Sequence, residues 1–349
     1  FLINDDGFVE YIKSIEIEFK VQDITLSSYC DLKQTVINKD SIDIDYNLTS
    51  QDGIDYIIIT SDDILDVAER FRSIHQDLEI DIVSVGNIID LYPEEETEDA
   101  IREYLLERIN DEISLNYLLL LGDESLLPPI YNNISIPSDD FYTSSQQFSG
   151  SPQLSTGRIT INTEEQANNI ISKIENYIDN LYSPIDEVDQ SWRMNISLLS
   201  DDENNPDPDK YPEISHTENS SQLYENLKPY VDISTFYGTD YTPIQSSDGL
   251  LHSAMTADII EMVNNGVSLI NYIGHGNYAT LSDEKIINLD RDLSLLGSTS
   301  NKLPIWVVGT CSFGRYDDKD SMTEALLLKD DGAIAIISTV RAVGISAND

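Results

Sequence analysis

Along most of the chain, short apolar runs of strand length alternate with stretches whose apolar positions recur every three or four residues. Ile54–Thr60 (IDYIIIT) reads as a buried strand, and Ile64, Ala68 and Phe71 then share one helical face. Leu78–Val85 (LEIDIVSV) reads as a second strand, followed by a helix carrying Ile101, Tyr104, Leu105 and Ile109. Tyr117–Leu121 (YLLLL) is apolar throughout and ends in Gly122-Asp123, as a strand covered on both faces does. A long helix is predicted over 164–182, with Ala167, Ile170, Ile171, Ile174, Tyr177, Ile178 and Leu181 as its apolar face and Thr163 with Gln166 as a capping box.

Leu181–Gln190 (LYSPIDEVDQ) reads as a boundary, after which the alternation restarts. Strands are predicted at Asn195–Leu199, Val231–Phe236, Val267–Ile273, Leu303–Val308 and Gly332–Ser338. Between them, Met255, Ile259, Met262 and Val263 form a helical face closed by Gly266, and Ser321 with Glu324 caps a short helix. Strands alternating with helices indicate an α/β fold with parallel sheets and helices on both faces. The first fifty residues differ. Ile15, Ile17, Phe19 and Val21 alternate with Glu16, Glu18 and Lys20, and Ser41–Asn47 alternates likewise, which predicts an antiparallel β-rich segment ending a preceding domain. The expected organisation is therefore residues 1–50 as that β-rich piece, then two lobes over 51–190 and 191–349.

Charge narrows the partners. With 64 acidic and 20 basic side chains in 349 residues, the formal net charge is −44. Nucleic acid and anionic membrane surfaces demand a basic face, and this chain has little material for one. The hydrophobic share of 40% separates it from disordered acidic tails, and a carboxylate-rich surface suits a saline or extracellular setting. Cys30 and Cys311, the two cysteines, are too few for a disulfide framework. No apolar run approaches the roughly 20 residues of a membrane span. The sequence opens with Phe1 and no signal peptide, which reads as a fragment or a processed piece.

In open α/β sheets the chemistry gathers at the carboxyl ends of the strands. The 267–273 strand runs into Gly274-His275-Gly276, and the 303–308 strand into Gly309-Thr310-Cys311-Ser312-Phe313-Gly314. If the two strands are parallel neighbours, a thiol and an imidazole reach one rim, as nucleophile and acid/base. The backbone N–H groups of Gly276 and Cys311 would then serve as an oxyanion hole. Taken singly, a cysteine after a buried strand is more often a small core residue, and a histidine beside glycine more often a turn residue. The strand ends, the glycine flanks and the spacing of 36 residues (311 − 275) together favour chemistry. A zinc site from His216, His252, His275 and Cys311 is the weaker idea, because none has ligand-like local spacing. A serine hydrolase is poor because no G-x-S-x-G elbow is present.

At these residues the chain resembles the gingipain family of cysteine peptidases, of the caspase-like clan. The resemblance rests on NYIGHGN (271–277), LPIWVVGTCSFGRYDD (303–318), TEALLL (323–328) and GAIAIISTVR (332–341), with YLLLLGDESLLPP (117–129), PSDDFY (137–142) and STGRI (155–159) upstream. It implies a three-layer αβα arrangement in two lobes and a dyad of Cys311 and His275 assisted by Gly276. SFGRYDD and GAIAIISTVR are most similar to the outer-membrane sortase of type IX secretion. That likeness implies protein or peptide substrates, secretion components as partners, and a location outside or on the outer membrane of a Gram-negative cell. By the same resemblance Glu203 or Asp202 is the candidate to orient the histidine, and Glu213, in YPEISHTEN, the candidate to bind substrate. Against these stands the abundance of acidic surface loops in such a chain. His216 is expected to be structural or solvent-facing. No cofactor is required. A structural calcium ion is allowed in the acidic loop 201–209, although Pro206 stands where an EF-hand loop needs glycine and a plain acidic loop is the simpler reading. The rival functional class is an inactive scaffold of the same fold that uses its acidic surface to bind partners.

Overall fold

The computed structural model describes residues 2–3, 9–10, 53–76, 78–111, 114–146, 149–183, 189–202, 214–247, 249–298 and 301–343. The chain divides into two compact units, Phe1–Gln51 and Asp52–Asp349. Of the first, Leu2–Ile3 and Val9–Glu10 form an antiparallel pair. The strands predicted at 15–21 and 41–47, and Cys30, lie outside the described residues.

The second unit holds two parallel sheets. The first is built from β1 (Tyr56–Thr60), α1 (Leu65–Ile74), β2 (Ile80–Ser84), α2 (Thr97–Asp111), β3 (Tyr117–Leu121), β4 (Ser155–Ile159) and α3 (Glu164–Tyr182), with strand order β4-β3-β1-β2. Alternate residues of its central strands go to opposite faces. Ile57, Ile59, Leu118 and Leu120 pack with Ala100, Ile101 and Leu105 of α2. Ile58, Leu119 and Leu121 pack with Val67, Ala68 and Phe71 of α1 and with Ala167, Ile170 and Ile171 of α3. Each such side chain contributes about 1.5–3 kcal/mol on burial, so unbroken apolar stretches such as the three isoleucines of β1 and the four leucines of β3 are stable only with helices on both sides. The expected strand over 78–85 is shorter. Ser84 ends it by accepting a hydrogen bond from the Asn87 N–H, which starts a helix over Val85–Leu91. At the head of α3, Thr163 caps the Gln166 N–H as predicted, but the Gln166 amide reaches back to the Asn162 N–H, one residue beyond the capping-box position.

The second sheet comprises β5 (Asn195–Ser200), α4 (Ile214–Leu227), β6 (Asp232–Tyr237), α5 (Ser253–Asn265), β7 (Leu269–Ile273), β8 (Ile305–Gly309), α6 (Met322–Leu328) and β9 (Ala335–Ser338), in the strand order β6-β5-β7-β8-β9. Its core joins Leu199, Ile270, Tyr272, Trp306 and Val308 to Met255, Ile259 and Val263 of α5 and Met322 and Leu326 of α6. The Ser321–Glu324 capping box at the start of α6 is complete, with both reciprocal hydrogen bonds made. This is the three-layer α/β architecture expected. The strands of the first sheet lie between Tyr56 and Ile159 and those of the second between Asn195 and Ser338, and both sheets belong to one compact unit.

Polar contacts buried between the sheets' elements help to make that unit. Lys173 on α3 donates from Nζ to the carbonyls of Leu327, Lys329 (3.1 Å) and Ala333 (2.9 Å), around the end of α6. Arg158, on β4, pairs with Asp139, which also accepts from the Tyr316 hydroxyl at 3.0 Å. The Arg158 guanidinium lies 5.0 Å from the centre of the Tyr316 ring. Through Tyr316, the segment after Cys311 is tied to the first sheet.

Burial pushes the Lys173 ammonium down to about 8, and the unfolded chain restores its usual value of 10.5. Between those two values the unfolded state binds the extra proton, so this residue adds stability as pH rises through the window and none below it. Lys173→Met leaves three carbonyls without their donor and is expected to cost about 1–3 kcal/mol in denaturant unfolding at neutral pH. The variant is also expected to lack the alkaline rise. Equal pH profiles for the two proteins would refute the assignment.

Candidate active site

Two neighbouring strands set the site. β7 and β8 are parallel, with Ile273 opposite Gly309, and the Gly274 N–H donates to the Gly309 carbonyl at 3.3 Å. His275 and Cys311 each stand two residues beyond that aligned pair, at the carboxyl edge of the sheet. Glycine is required on both sides of the histidine. A Cβ at Gly274 would lie 2.5 Å from the Tyr272 hydroxyl and 2.6 Å from the Asp201 Cβ. At Gly276 it would lie 2.7 Å from the Thr280 carbonyl and 2.8 Å from Thr310 Oγ1. Gly276 thus packs directly on the residue that precedes the cysteine.

Past His275 the chain turns back in a hairpin, Gly276–Asn277 with Thr280–Leu281. The Ser282 N–H donates to the His275 carbonyl at 2.8 Å, so antiparallel alternation places Gly276 opposite Leu281 in a non-hydrogen-bonded pair. Its N–H therefore turns out of the hairpin, as an oxyanion donor must.

The histidine is held by its backbone. Its N–H donates to Asp201 Oδ2 at 3.0 Å, and its carbonyl also accepts from the Tyr272 hydroxyl at 2.7 Å. The His216 ring meets the His275 ring edge to face, with centroids 5.5 Å apart. His216 is 1% exposed, which corrects the solvent-facing alternative: its position in the first turn of α4 turns it inward. Desolvation pushes the Asp201 carboxyl up to about 6, against the opposing hydrogen bonds from the His275 N–H and the Asp202 N–H.

Cys311 is half-buried. Its sulfur accepts from the Val343 N–H at 3.4 Å and lies 3.6 Å from the Val343 carbonyl. Ser312, next in the chain, has φ of 57°, a left-handed conformation that a serine adopts only when its surroundings hold it. Here its N–H is fixed by the Arg341 carbonyl at 3.1 Å and by Thr339 Oγ1 at 3.2 Å.

The acidic candidates fare differently. Asp202 is buried with its Oδ2 at 3.0 Å from His252 Nε2, so this carboxylate is engaged with a second histidine. Its neighbour Asp201, the first residue past β5, is the carboxylate that reaches the His275 residue. Glu203, Glu213 and the remainder of the loop expected to bind calcium lie outside the described residues. Among the described residues, the carboxylates of Asp201, Asp202 and Glu284 bring ligand atoms within 4.8 Å of one another. An all-oxygen set suits a hard cation such as calcium better than zinc. Its oxygens already accept protein hydrogen bonds, including one from the Ser282 hydroxyl to Glu284 at 2.6 Å. Tyr272, Glu284 and Val343 went unseen as site residues because no local pattern marks them, and the sequence offered nothing that would seat His216 against the His275 ring. Asp201 was within reach of the strand-end rule.

A sequence model of Peptidase family C25 matches residues 49–349. An uncharacterized protein of Archaeoglobus fulgidus is 25% identical over 322 aligned positions, covering 82% of this chain and 76% of the relative. The fold is similar to the crystal structure of the Arg-specific cysteine proteinase gingipain R, with a TM-score of 0.63 at 21% identity over 84% of this chain. It is equally similar to the complex of Porphyromonas gingivalis RgpB pro- and mature domains, with a TM-score of 0.63 at 21% identity over 83% of this chain. This chain spans 64% of the length of each of those two solved chains.

The packing of Gly276 yields a direct test. Gly276→Ala places its methyl against the Thr280 backbone, which cannot rotate away, and is expected to destabilise the protein by about 1–3 kcal/mol. A second substitution, Thr310→Ser, removes the methyl contact alone and should recover only part of the loss. A fully stable Gly276→Ala protein in chemical denaturation would show that the two turns are not in contact.

Proposed function

This chain belongs to peptidase family C25, and on that footing we propose that it is a cysteine peptidase in which Cys311 is the nucleophile and His275 the acid/base. The observation that carries the reading is the β7–β8 register, which brings GHG and TCS out at the same edge of one sheet. In the reaction the sulfur attacks the carbonyl carbon of a peptide bond, and the N–H groups of Gly276 and Cys311 receive the developing oxyanion. His275 delivers a proton to the departing amine, the C–N bond breaks, and an acyl-thioester remains on Cys311. Water or a second amine then attacks the thioester carbonyl, His275 accepts the proton of the incoming group, and the C–S bond breaks to return the sulfur of Cys311.

Asp201 serves this chemistry by fixing the His275 backbone. Asp202 is taken up by His252, and Glu203 remains a candidate for the imidazole itself. Calcium, if held by Asp201, Asp202 and Glu284, would offset three buried negative charges beneath the histidine.

The substrates are segments of secreted proteins. The strongly acidic chain favours basic segments, and Glu213 is the residue proposed to read them. The likeness of SFGRYDD and GAIAIISTVR to the type IX secretion sortase supports a role in transfer at the outer surface of a Gram-negative cell. No helix among the described residues is long and apolar enough to cross a membrane.

Cys311→Ala is expected to abolish peptide-bond cleavage in an assay with unfolded protein substrates, while the thermal unfolding midpoint stays close to that of the wild type. Retained cleavage would remove the proposal. Adding a peptide amine to the wild-type reaction separates the two fates of the thioester: a ligated product supports transfer, and hydrolysis alone refutes the sortase role.

A further inference from the structure

The backbone of His275 is fixed from two sides, by Asp201 Oδ2 on its N–H at 3.0 Å and by the Tyr272 hydroxyl on its carbonyl at 2.7 Å. Those contacts set where the Cβ points and leave the ring angle open. The outer torsion of a histidine joins an sp³ to an sp² carbon and has broad, roughly two-fold minima. A neighbour must therefore choose the tilt of this half-buried imidazole. Of the buried carboxylates nearby, Asp201 accepts from the N–H groups of His275 and Asp202, and Asp202 Oδ2 lies on His252 Nε2. The His275 ring itself meets the ring of His216, edge to face, with 5.5 Å between centroids and 87° between planes.

His216 is itself firmly placed. It is buried in the first turn of α4, and that turn is fastened to the end of β5. The next residue, Thr217, shares a hydrogen bond with the Ser200 hydroxyl at 3.2 Å and donates to the Asp201 carbonyl at 3.5 Å. One turn further, Ser220 donates to the Leu199 carbonyl at 3.5 Å. The Asp201 N–H in turn donates to the Ile273 carbonyl at 3.1 Å, which ties the same strand end to the last residue of β7. Both histidines are thus referred to one point of the sheet, and β5 sets the distance between their backbones. Perpendicular aromatic rings at this separation attract, positive edge toward negative face, and the attraction weakens as either ring swings away.

We propose that His216 is a positioning residue for His275: its ring holds the imidazole at the angle from which protons are exchanged in the reaction. The inference rests on the reading of His275 as the acid/base, but its first readout needs no substrate. The full chain, with carbon-13 in its four histidine rings, is followed by NMR, the His275 signals being those lost in His275→Ala. In His216→Ala the order parameter of the His275 Cδ2–Hδ2 bond is expected to fall from the rigid range, about 0.85, toward about 0.6. With an unfolded protein as substrate, the same variant is expected to lose about threefold to tenfold in kcat at a nearly unchanged KM. His216→Phe keeps a ring without polar atoms and is expected to recover most of both. His216→Gln keeps polar atoms without a ring and is expected to behave as His216→Ala does. The comparison of these two decides the matter by itself if the alanine variant does not fold. An unchanged order parameter in His216→Ala, or a looser ring with undiminished kcat, would reduce the pair to packing and overturn the proposal, whatever happens to thermal stability. Recovery by glutamine and not by phenylalanine would overturn it too, by assigning the restraint to a hydrogen bond. A wild-type protein inert toward peptides but with the expected order parameters would count against the peptidase reading and leave the ring restraint standing.

Discussion

The register of β7 against β8 is the constraint on which the site depends. Backbone hydrogen bonds between parallel strands admit no sliding by a fraction of a residue, and a slip of one would turn each side chain to the other face. With Ile273 fixed opposite Gly309, the histidine and cysteine turns leave the sheet side by side. Glycines 274 and 276 then let those turns close on Tyr272, Asp201 and Thr310 at distances no side chain would permit. Tyr272 and Trp306, buried in the same core as Met255 and Phe313, hold the two strands from beneath.

Such an edge concentrates polar groups that a core would reject. Asp201, Asp202 and Glu284 are all buried, together with His216 and His252, behind the proposed acid/base. An isolated buried carboxylate is costly, and each of these is offset by local donors: backbone N–H groups for Asp201, an imidazole for Asp202, the Ser282 hydroxyl for Glu284. The upward shift of Asp201 shows that desolvation outweighs its hydrogen bonds. A network so arranged resists rearrangement, because moving any one member strands another without a partner.

The first sheet takes part in the same economy of positioning. Its residues supply no candidate nucleophile or base, yet Asp139, Arg158 and Tyr131 reach the segment 316–317 that follows the cysteine. Lys173 fastens α3 to the turn after α6 through three carbonyls. The upstream stretches PSDDFY and STGRI thereby acquire a physical role: the aspartate of one and the arginine of the other form the pair on which Tyr316 rests.

What the sequence determined by itself was whatever depends on local periodicity. The isoleucine and leucine runs read as strands covered on both faces, Ser321 with Glu324 as the start of a helix, and the rule of strand ends put His275 and Cys311 forward as candidates. Tertiary structure decided the matters of approach. It gave Asp202 to His252, and Asp201 to the His275 backbone. It turned His216 inward against the His275 ring and laid Val343 on the sulfur. Those pairings join residues 32 to 74 positions apart, across turns whose directions follow from packing rather than from any repeating pattern. Hydrophobic spacing encodes which face of an element is buried, and carries no record of which polar groups will meet beyond its end.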